Sequence, residues 1–343
     1  MRITQTALSA VAVALVYMAT PAIAQTAAAA PVASAEVDQN AAIMAFFDEY
    51  DAQQLARSPL GKSYRGIKDS DYGKWDDGSE EAEARNYEAE RSALKEMRAR
   101  FDPASLPQHW ARLHRCDAEP LPANGAVLQA WVHFHNGDFQ QAAEAGLQAG
   151  GDGVTVANKA TSVYARYLEK REKSKLDMLL EVSARAQAQQ ASAPHNPNAF
   201  FWQAYALGLY GQGISVAKGM AQGVGNTVKA ALERTIALCP EHADAYLALG
   251  YFHAEVIDKV GPLIGGMTYG AKKETGLALF HKALQLNPDS PVSLVDYASG
   301  LVMLEGEEKM AEATRLYQQA LATQPRDALE SLGVALARQE LQN

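Results

Sequence analysis

Three stretches of the chain share one pattern: TIALCP at residues 235–240, ALQLNP at 283–288 and ALATQP at 320–325. Each stretch closes an apolar run of helical spacing with a proline, and another helix-like run follows it. A bulky side chain precedes each proline at the same point of the pattern, namely Leu232, Phe280 and Tyr317. Because proline ends a helix and the pattern recurs, the sequence predicts pairs of helices that stack as a repeat.

The predicted fold class is all-α, an α-solenoid of about five helix pairs. The pairs are expected at 126–135 with 139–149, 154–169 with 174–190, 200–240, 243–257 with 272–286, and 292–304 with 309–323. A last helix at 327–341 is apolar on one side and polar on the other, so it is predicted to cap the array.

Two of the predicted repeats are longer than the 34 residues of a standard unit. Pro240 and Pro288 are 48 positions apart, and the surplus lies in a Gly-rich insert at 258–270. A similar insert occupies 211–225. Extra residues in a solenoid go to loops on one face, often the binding face. We therefore predict ordered loops there, with contact residues Lys218, Lys259, Tyr269 and Lys272.

Residues 126–341, with their proline-closed helix pairs, resemble tetratricopeptide-repeat (TPR) proteins. The resemblance implies a scaffold that binds a protein or peptide, on its concave face and at the inserts, and that performs no catalysis. The inserts and the helix at 272–286 also resemble, more loosely, the helical partner component of tripartite periplasmic transporters.

The N-terminus has the features of a secretory signal peptide. Arg2 is followed by an apolar run over 7–19 and by small residues before Gln25. We predict Sec-type export, cleavage between Ala24 and Gln25, and a periplasmic location in a Gram-negative bacterium. The apolar run is shorter than the roughly 20 residues that a membrane span needs, and no later segment reaches that length.

The predicted layout is a signal peptide at 1–24, an Ala/Pro-rich tether at 25–40, a helical N-terminal module at 41–116, a linker at 117–125 and the repeats at 126–343. In the module we expect an amphipathic helix over 43–55, a turn at Trp75-Asp76-Asp77 and a long polar helix opened by Ser79.

The formal net charge is −9, without a basic block, which argues against nucleic acid as a partner. Oligomeric state is left open.

The stretch SPLGKSYRGIK at 58–68 and the following KWDD at 74–77 resemble the opening of an exported bacterial family that is known only as a domain of unknown function. The resemblance covers residues 42–106. It implies a peptidase-like ancestry, since members of that family carry an HExxH zinc site. A remnant or regulator of such an enzyme is therefore the alternative function.

Residues for catalysis, metals or cofactors do not stand out. The eight histidines include no His-Glu-x-x-His, and the chain has no Gly-x-Ser-x-Gly, phosphate-binding loop or Cys-x-x-Cys. We predict no enzyme, no metal and no cofactor.

The aromatic group at 200–205 is interpreted as core. Cys116 and Cys239 could form a disulfide, but free buried thiols are favoured.

Overall fold

The structure is a computed structural model, and it describes residues 52–72, 74–79, 81–82, 84–85 and 101–341. The chain divides into two compact units, Met1–Met97 and Arg98–Asn343. The signal peptide, the tether, most of the helix over 43–55 and most of the polar helix after Ser79 lie outside the described residues. Those predictions stay predictions.

Among the described residues of the first unit, a short helix, α1 (Pro59–Tyr64), has both of its ends defined. Asp76 holds its first turn, because its carboxylate accepts hydrogen bonds from Leu60 N at 2.9 Å and Ser58 Oγ at 2.8 Å. The side chain of Trp75 is 82% exposed. Asp76 therefore caps α1 from a distant part of the sequence. At the predicted turn itself, Asp77 Oδ1 accepts a hydrogen bond from Ser79 N at 3.0 Å.

Helix pairs follow one another through the second unit. Their bounds are α2 (Leu106–Leu113), α3 (Gly125–His135), α4 (Phe139–Ala149), α5 (Gly153–Tyr167), α6 (Glu172–Ser192), α7 (Pro197–Gln212), α8 (Val216–Ala221), α9 (Val224–Leu238), α10 (Ala243–Tyr269), α11 (Lys273–Leu286), α12 (Pro291–Glu305), α13 (Met310–Ala322) and α14 (Ala328–Glu340). A 3₁₀ turn, Gly306–Lys309, precedes α13. The prediction of an all-α solenoid with five pairs and a capping helix is confirmed.

Each pair has an inner and an outer helix. The inner helices, α3, α5, α7, α10, α12 and α14, contact one another in chain order, and each outer helix (α4, α6, α9, α11, α13) packs on the inner helix of its own pair. The bulky residue of the repeat pattern fits between glycines. A Cβ on Gly300 would lie 2.4 Å from the Phe280 ring, and one on Gly250 would lie 3.1 Å from the same ring. These close approaches explain why the pattern alternates bulky and very small residues.

The capping helix closes the array on itself. α14 packs on α12 and α13, and it also contacts α3, the first inner helix. Leu329 and Leu332 pack against the apolar cluster around Trp131, and Leu336 packs against the cluster around Phe280. The inner helices therefore form a closed ring instead of an open-ended solenoid.

Residues 101–124, which we call the central segment, lie with the repeats. Leu106, Trp110 and Leu113 of α2 are buried in one cluster with residues of α3. Asp117 is 1% exposed and Glu119 is 7% exposed. The predicted boundary at 116 and the linker at 117–125 are therefore wrong. The apolar face of α2 is covered by α3, and the two acidic residues have buried partners.

Both Gly-rich inserts are helical, so the prediction of loops is wrong. The first contains α8, which Ser215 caps by accepting a hydrogen bond from Lys218 N. The second continues α10 past a kink at Gly261, which has a φ of 81°. Pro262 follows, and its fixed φ suits the first turn of a new helical stretch. Within the described residues, no helix is long and apolar enough to cross a membrane.

Candidate functional site

The chain itself fills the inside of the ring. Cys116 O in the central segment accepts a hydrogen bond from Asp244 N of α10 at 2.9 Å. Arg166 of α5 forms an ion pair with Asp296 of α12 and donates to Tyr205 Oη at 2.9 Å. Because α7 and α10 separate α5 from α12 along the ring, this ion pair spans its inner side. Among the described residues, the concave face on which the sequence predicts a peptide groove therefore carries contacts within the chain.

The two inserts come together on one edge of the ring. The ring of Tyr269, at the end of α10, packs against α9, since a Cβ on Gly225 would lie 2.7 Å from it. The same ring meets Phe252 edge-on, with centroids 6.1 Å apart. α8 precedes α9 directly and contacts it. The second half of α10 and the helix α8 therefore belong to one surface, which we call the insert edge.

Exposed apolar side chains distinguish the insert edge. The second half of α10 exposes Met267 by 83%, Leu263 by 74% and Ile264 by 52%, and these positions share one face of the helix. α8 adds Val216 and Met220, which are also exposed. Apolar side chains grouped in this way are uncommon on a surface without a binding role.

The four predicted contact residues all lie at this edge. Lys218 lies over the ring of Tyr210, 5.7 Å from its centroid, and Lys259 forms an ion pair with Glu255 at 2.7 Å. Lys272 is exposed just before α11, and its N–H donates to His253 Nδ1 at 3.0 Å. Tyr269 is partly buried as packing between α9 and α10. The ring contacts of Tyr269 therefore give it a structural role, whereas Lys218 and Lys272 form no ion pair among the described residues.

A second group of polar residues lies fully buried at the centre of the ring. Lys159 of α5 is 1% exposed, and its Nζ donates to Asp117 Oδ2 at 2.6 Å. The same ammonium lies over the rings of Trp131 and Phe134, 5.5 and 5.0 Å from their centroids. Burial opposes both charges, but each stabilises the other, so the pKa of Asp117 is held well below its usual range and that of Lys159 is raised.

Two histidines connect Asp117 to the capping helix. His114 Nδ1 lies 2.9 Å from Asp117 Oδ1, and His114 Nε2 lies 3.2 Å from His135 Nε2. His135 Nδ1 in turn lies 2.8 Å from Asp327 Oδ2, the residue that caps α14. Burial lowers the pKa of His114 to about 4, so this ring is neutral near pH 7. The chain of hydrogen bonds joins the central segment to both ends of the ring.

A third histidine supports the other acidic residue of the central segment. His242 Nδ1 accepts from Ala245 N at 3.1 Å, so its Nε2 carries the proton and donates to Asn198 Oδ1 at 2.9 Å. Asn198 Nδ2 then donates to Glu119 Oε2 at 2.6 Å. Burial raises the pKa of Glu119 to about 8 and lowers that of His242 to about 4. Both groups are thus held neutral.

Sequence reasoning missed this buried centre. One signal was available, because Lys159 stands on a helix face between Val156, Ala160 and Val163, where a lysine is unusual. The partner of Lys159 lies 42 residues away in a stretch whose prolines are typical of a linker. Among the described residues, no three His, Cys, Asp or Glu side chains are placed to hold a metal ion, and both cysteines are free thiols.

Comparison with known proteins gives a likeness of fold type. The fold defines an α-helical repeat protein. No known family's sequence model matches the chain, and no curated protein matches it. Among solved structures, a thermophilic TPR protein from Thermus thermophilus is similar, with 17% identity and a TM-score of 0.45. That match covers 62% of this chain and 97% of the other.

Proposed function

We propose that this protein is an exported, periplasmic scaffold that binds a protein partner through the insert edge. The observation that carries the proposal is the group of exposed apolar side chains on the second half of α10 and on α8. Helical solenoids commonly bind partners on exposed faces, and here the inside of the ring is filled. The partner surface is therefore assigned to the edge.

The chemistry of the edge specifies the partner. Leu263, Ile264 and Met267 offer an apolar stripe, and methionine adapts readily to a partner's side chains. Lys218 and Lys272 lie at the same edge, and neither forms an ion pair within the described part of the chain. The matching partner presents an apolar helix or segment that is flanked by carboxylates.

An anionic lipid surface fits this edge less well than a protein does. Electrostatic binding to lipid headgroups usually takes clusters of about 4–8 basic residues. The edge offers two unpaired lysines, and the whole chain carries a net charge of −9. A protein partner with a few acidic residues needs no larger cluster.

The test is capture of partners from periplasmic extract by wild type and by the variant Leu263→Glu/Met267→Glu. Because both side chains are exposed, the melting temperature should stay the same while the captured partner is lost. Leu180→Glu is the control, since Leu180 is an exposed leucine on the outer helix α6, with 42% exposure compared with 74% for Leu263. The captured bait should begin at Gln25 if export and cleavage occur as proposed.

Two results would contradict the proposal. Equal capture by wild type and by the double variant would remove the edge as the binding surface. Equal loss with Leu180→Glu would show that the apolar stripe has no special part in capture. A charge reversal, Lys272→Glu, should weaken capture, and the weakening should be larger at low salt.

A further inference from the structure

A small cavity opens beside the buried centre, where three inner helices begin. Its volume is about 40 Å³, and residues from the starts of α10, α12 and α14 line it together with Cys116 of the central segment. Its polar lining consists of the acidic or neutral side chains of Asp244, Asn287, Ser290, Asp327 and Glu330 and the basic side chains of Lys159 and Arg112. By this measure a single water takes about 10–15 Å³, so the cavity has room for a group of roughly three heavy atoms.

The helix caps at the cavity are complete without Asp244 or Asn287. His242 Nδ1 accepts from Ala245 N, Ser290 Oγ from Ser293 N and Asp327 Oδ1 from Glu330 N. Neither the carboxylate of Asp244 nor the side-chain amide of Asn287 therefore serves as a helix cap.

The carboxyl group of Asp244 lacks a cation. Lys159 and Asp117 neutralise each other, and Asp327 is bonded to His135. Glu330 lies 3.7 Å from Arg326. Within the described residues, no Lys, Arg or His lies within ion-pair distance of Asp244, although the charge of Lys159 lowers its pKa in part. The Cys116 thiol donates to Leu113 O at 3.6 Å. Burial, and then the charge of Asp117, raise the pKa of Asp244 to about 7.

An unpaired acceptor lies beside this carboxyl group. Asn287 is 4% exposed, and its Oδ1 accepts no hydrogen bond. A buried carbonyl oxygen without a donor is unfavourable, so a donor in the cavity would be favoured. Ser290 Oγ, which accepts from Ser293 N, retains a second lone pair. The cavity therefore offers a carboxylate and two neutral oxygens.

We propose that this cavity binds a primary ammonium group through Asp244, Asn287 Oδ1 and Ser290 Oγ. An ammonium group has three N–H donors and one positive charge, which match three acceptors of which one is ionised. The same chemistry is found in a small free amine, in a peptide N-terminus and in a lysine side chain. The site is separate from the insert edge and does not depend on the function proposed for that edge.

The test is calorimetric titration of the full chain with methylammonium chloride, and with potassium chloride at the same ionic strength. Potassium carries the same charge but donates no hydrogen bonds. We expect methylammonium to bind and potassium to give no matching signal. No binding of methylammonium up to about 0.1 M, or equal binding of the two cations, would overturn the proposal.

Proton linkage gives a second readout. The ammonium group needs the ionised form of Asp244, so binding should release protons near pH 7. The apparent affinity should fall about tenfold between pH 8 and pH 6, because a carboxyl group that titrates near pH 7 is mostly protonated at the lower pH. Affinity that does not change over this range would mean that Asp244 is not the ligand.

Two variants separate the site from general charge effects. Asp244→Asn keeps the side-chain shape and should weaken methylammonium binding at least tenfold, while the melting temperature at pH 8 rises because an uncompensated charge is removed. Asp258→Asn, an exposed aspartate on the same helix, should bind as wild type does. Unchanged affinity in Asp244→Asn would contradict the proposal.

The kind of molecule that supplies the ammonium group can be identified by comparing how tightly different amine probes bind. Triglycinamide carries a free N-terminus, whereas Nα-acetyl-lysine amide carries only a side-chain amine. Tighter binding of one of them than of methylammonium identifies the natural ligand as an N-terminus or a lysine. Equal or weaker binding of both identifies a small free amine.

Discussion

Lys159 shows how a single residue depends on its surroundings. Its ammonium is almost fully buried, yet one carboxylate and three aromatic rings surround it, those of Trp131, Phe134 and Trp202. The attraction between Lys159 and Asp117 must offset the cost of removing both charges from water. Losing one partner is therefore far more costly than the bond alone would suggest.

The variant Lys159→Met should lower the free energy of unfolding by about 3–5 kcal/mol, because it leaves Asp117 buried and uncompensated. Urea denaturation measures this loss. Adding Asp117→Asn should restore part of the stability, so the two changes should not be additive.

An exposed ion pair of similar length provides the control. Lys173 Nζ lies 2.7 Å from Asp177 Oδ2, and both side chains are exposed. Lys173→Met should change stability by less than about 1 kcal/mol. A loss with Lys159→Met as small as that would show that the buried pair contributes little.

At the residue scale, sequence patterns were a weak guide to this centre. A lysine on an apolar face is a visible anomaly, but no local pattern indicates which carboxylate will meet it. Asp117 lies in a proline-rich stretch, and proline and charge together are more typical of exposed linkers. Only the tertiary structure turns that stretch into a buried partner.

The individual helices were largely predictable from sequence. Prolines, glycines and apolar spacing placed most helix ends within two or three residues of the observed ones, because these signals act locally. The inserts were not predictable in the same way. Glycines there indicated loops, whereas Pro262 starts a new helical stretch and Gly261 supplies the backbone angle for the kink.

Packing between helices can be tested with glycines of different surroundings. A Cβ on Gly333 of α14 would lie 2.8 Å from Val292 Cγ2 and 3.0 Å from its backbone nitrogen. Gly333→Ala should therefore destabilise the contact of α14 with α12 by about 1–3 kcal/mol. Thermal unfolding measures the change.

Gly208 is the matched control for that substitution. It lies within α7, and no neighbouring atom lies within 4 Å of an added Cβ. Gly208→Ala should therefore stabilise the protein by about 0.5–1 kcal/mol, because alanine favours the helix. If both variants raised, or both lowered, the stability of the protein, this account of α14 packing would be contradicted.

At the scale of the whole molecule, burial makes several carboxyl groups titrate near or above pH 7 instead of near pH 4. Burial raises the pKa of Glu119 to about 8, and that of Asp244 and Glu330 to about 7. In the unfolded chain all three ionise near pH 4. The folded state therefore binds more protons than the unfolded state over this interval, so stability falls as pH rises.

The buried histidines have the opposite effect on how stability changes with pH, and they act mainly at lower pH. Burial lowers the folded-state pKa values of His114 and His242 to about 4. Below about pH 6.5 the unfolded chain therefore binds more protons at these histidines than the folded chain does. This difference opposes the effect of the carboxyl groups on stability. Between pH 6.5 and pH 8.5 the carboxyl groups outweigh the histidines. Stability should fall by about 3 kcal/mol across that window.

Urea denaturation at several pH values checks this slope. Glu119→Gln keeps the hydrogen bond with Asn198 and should flatten the pH dependence most, because Glu119 has the highest of the three pKa values. Glu241→Gln, at an exposed site, should leave it unchanged. Stability that rises from pH 6.5 to pH 8.5 would contradict the account.

The arrangement of the whole molecule was the least predictable from sequence. The repeat pattern specifies which helices pair, but the curvature of the array follows from small rotations that add up over five pairs. Contact between the last and the first inner helix is a result of that sum. The filling of the ring by residues 101–124 depends on it in turn.

Closure of the ring has a consequence for how this protein can change through duplication. An open-ended solenoid tolerates copies of its unit, because each unit touches only its neighbours. Here α14 contacts α3, and Asp327 is bonded to His135. One more helix pair would separate those two helices, and one fewer would leave no room for the central segment. The copy number of the repeat is therefore fixed by geometry, and new variants must arise within the existing helices.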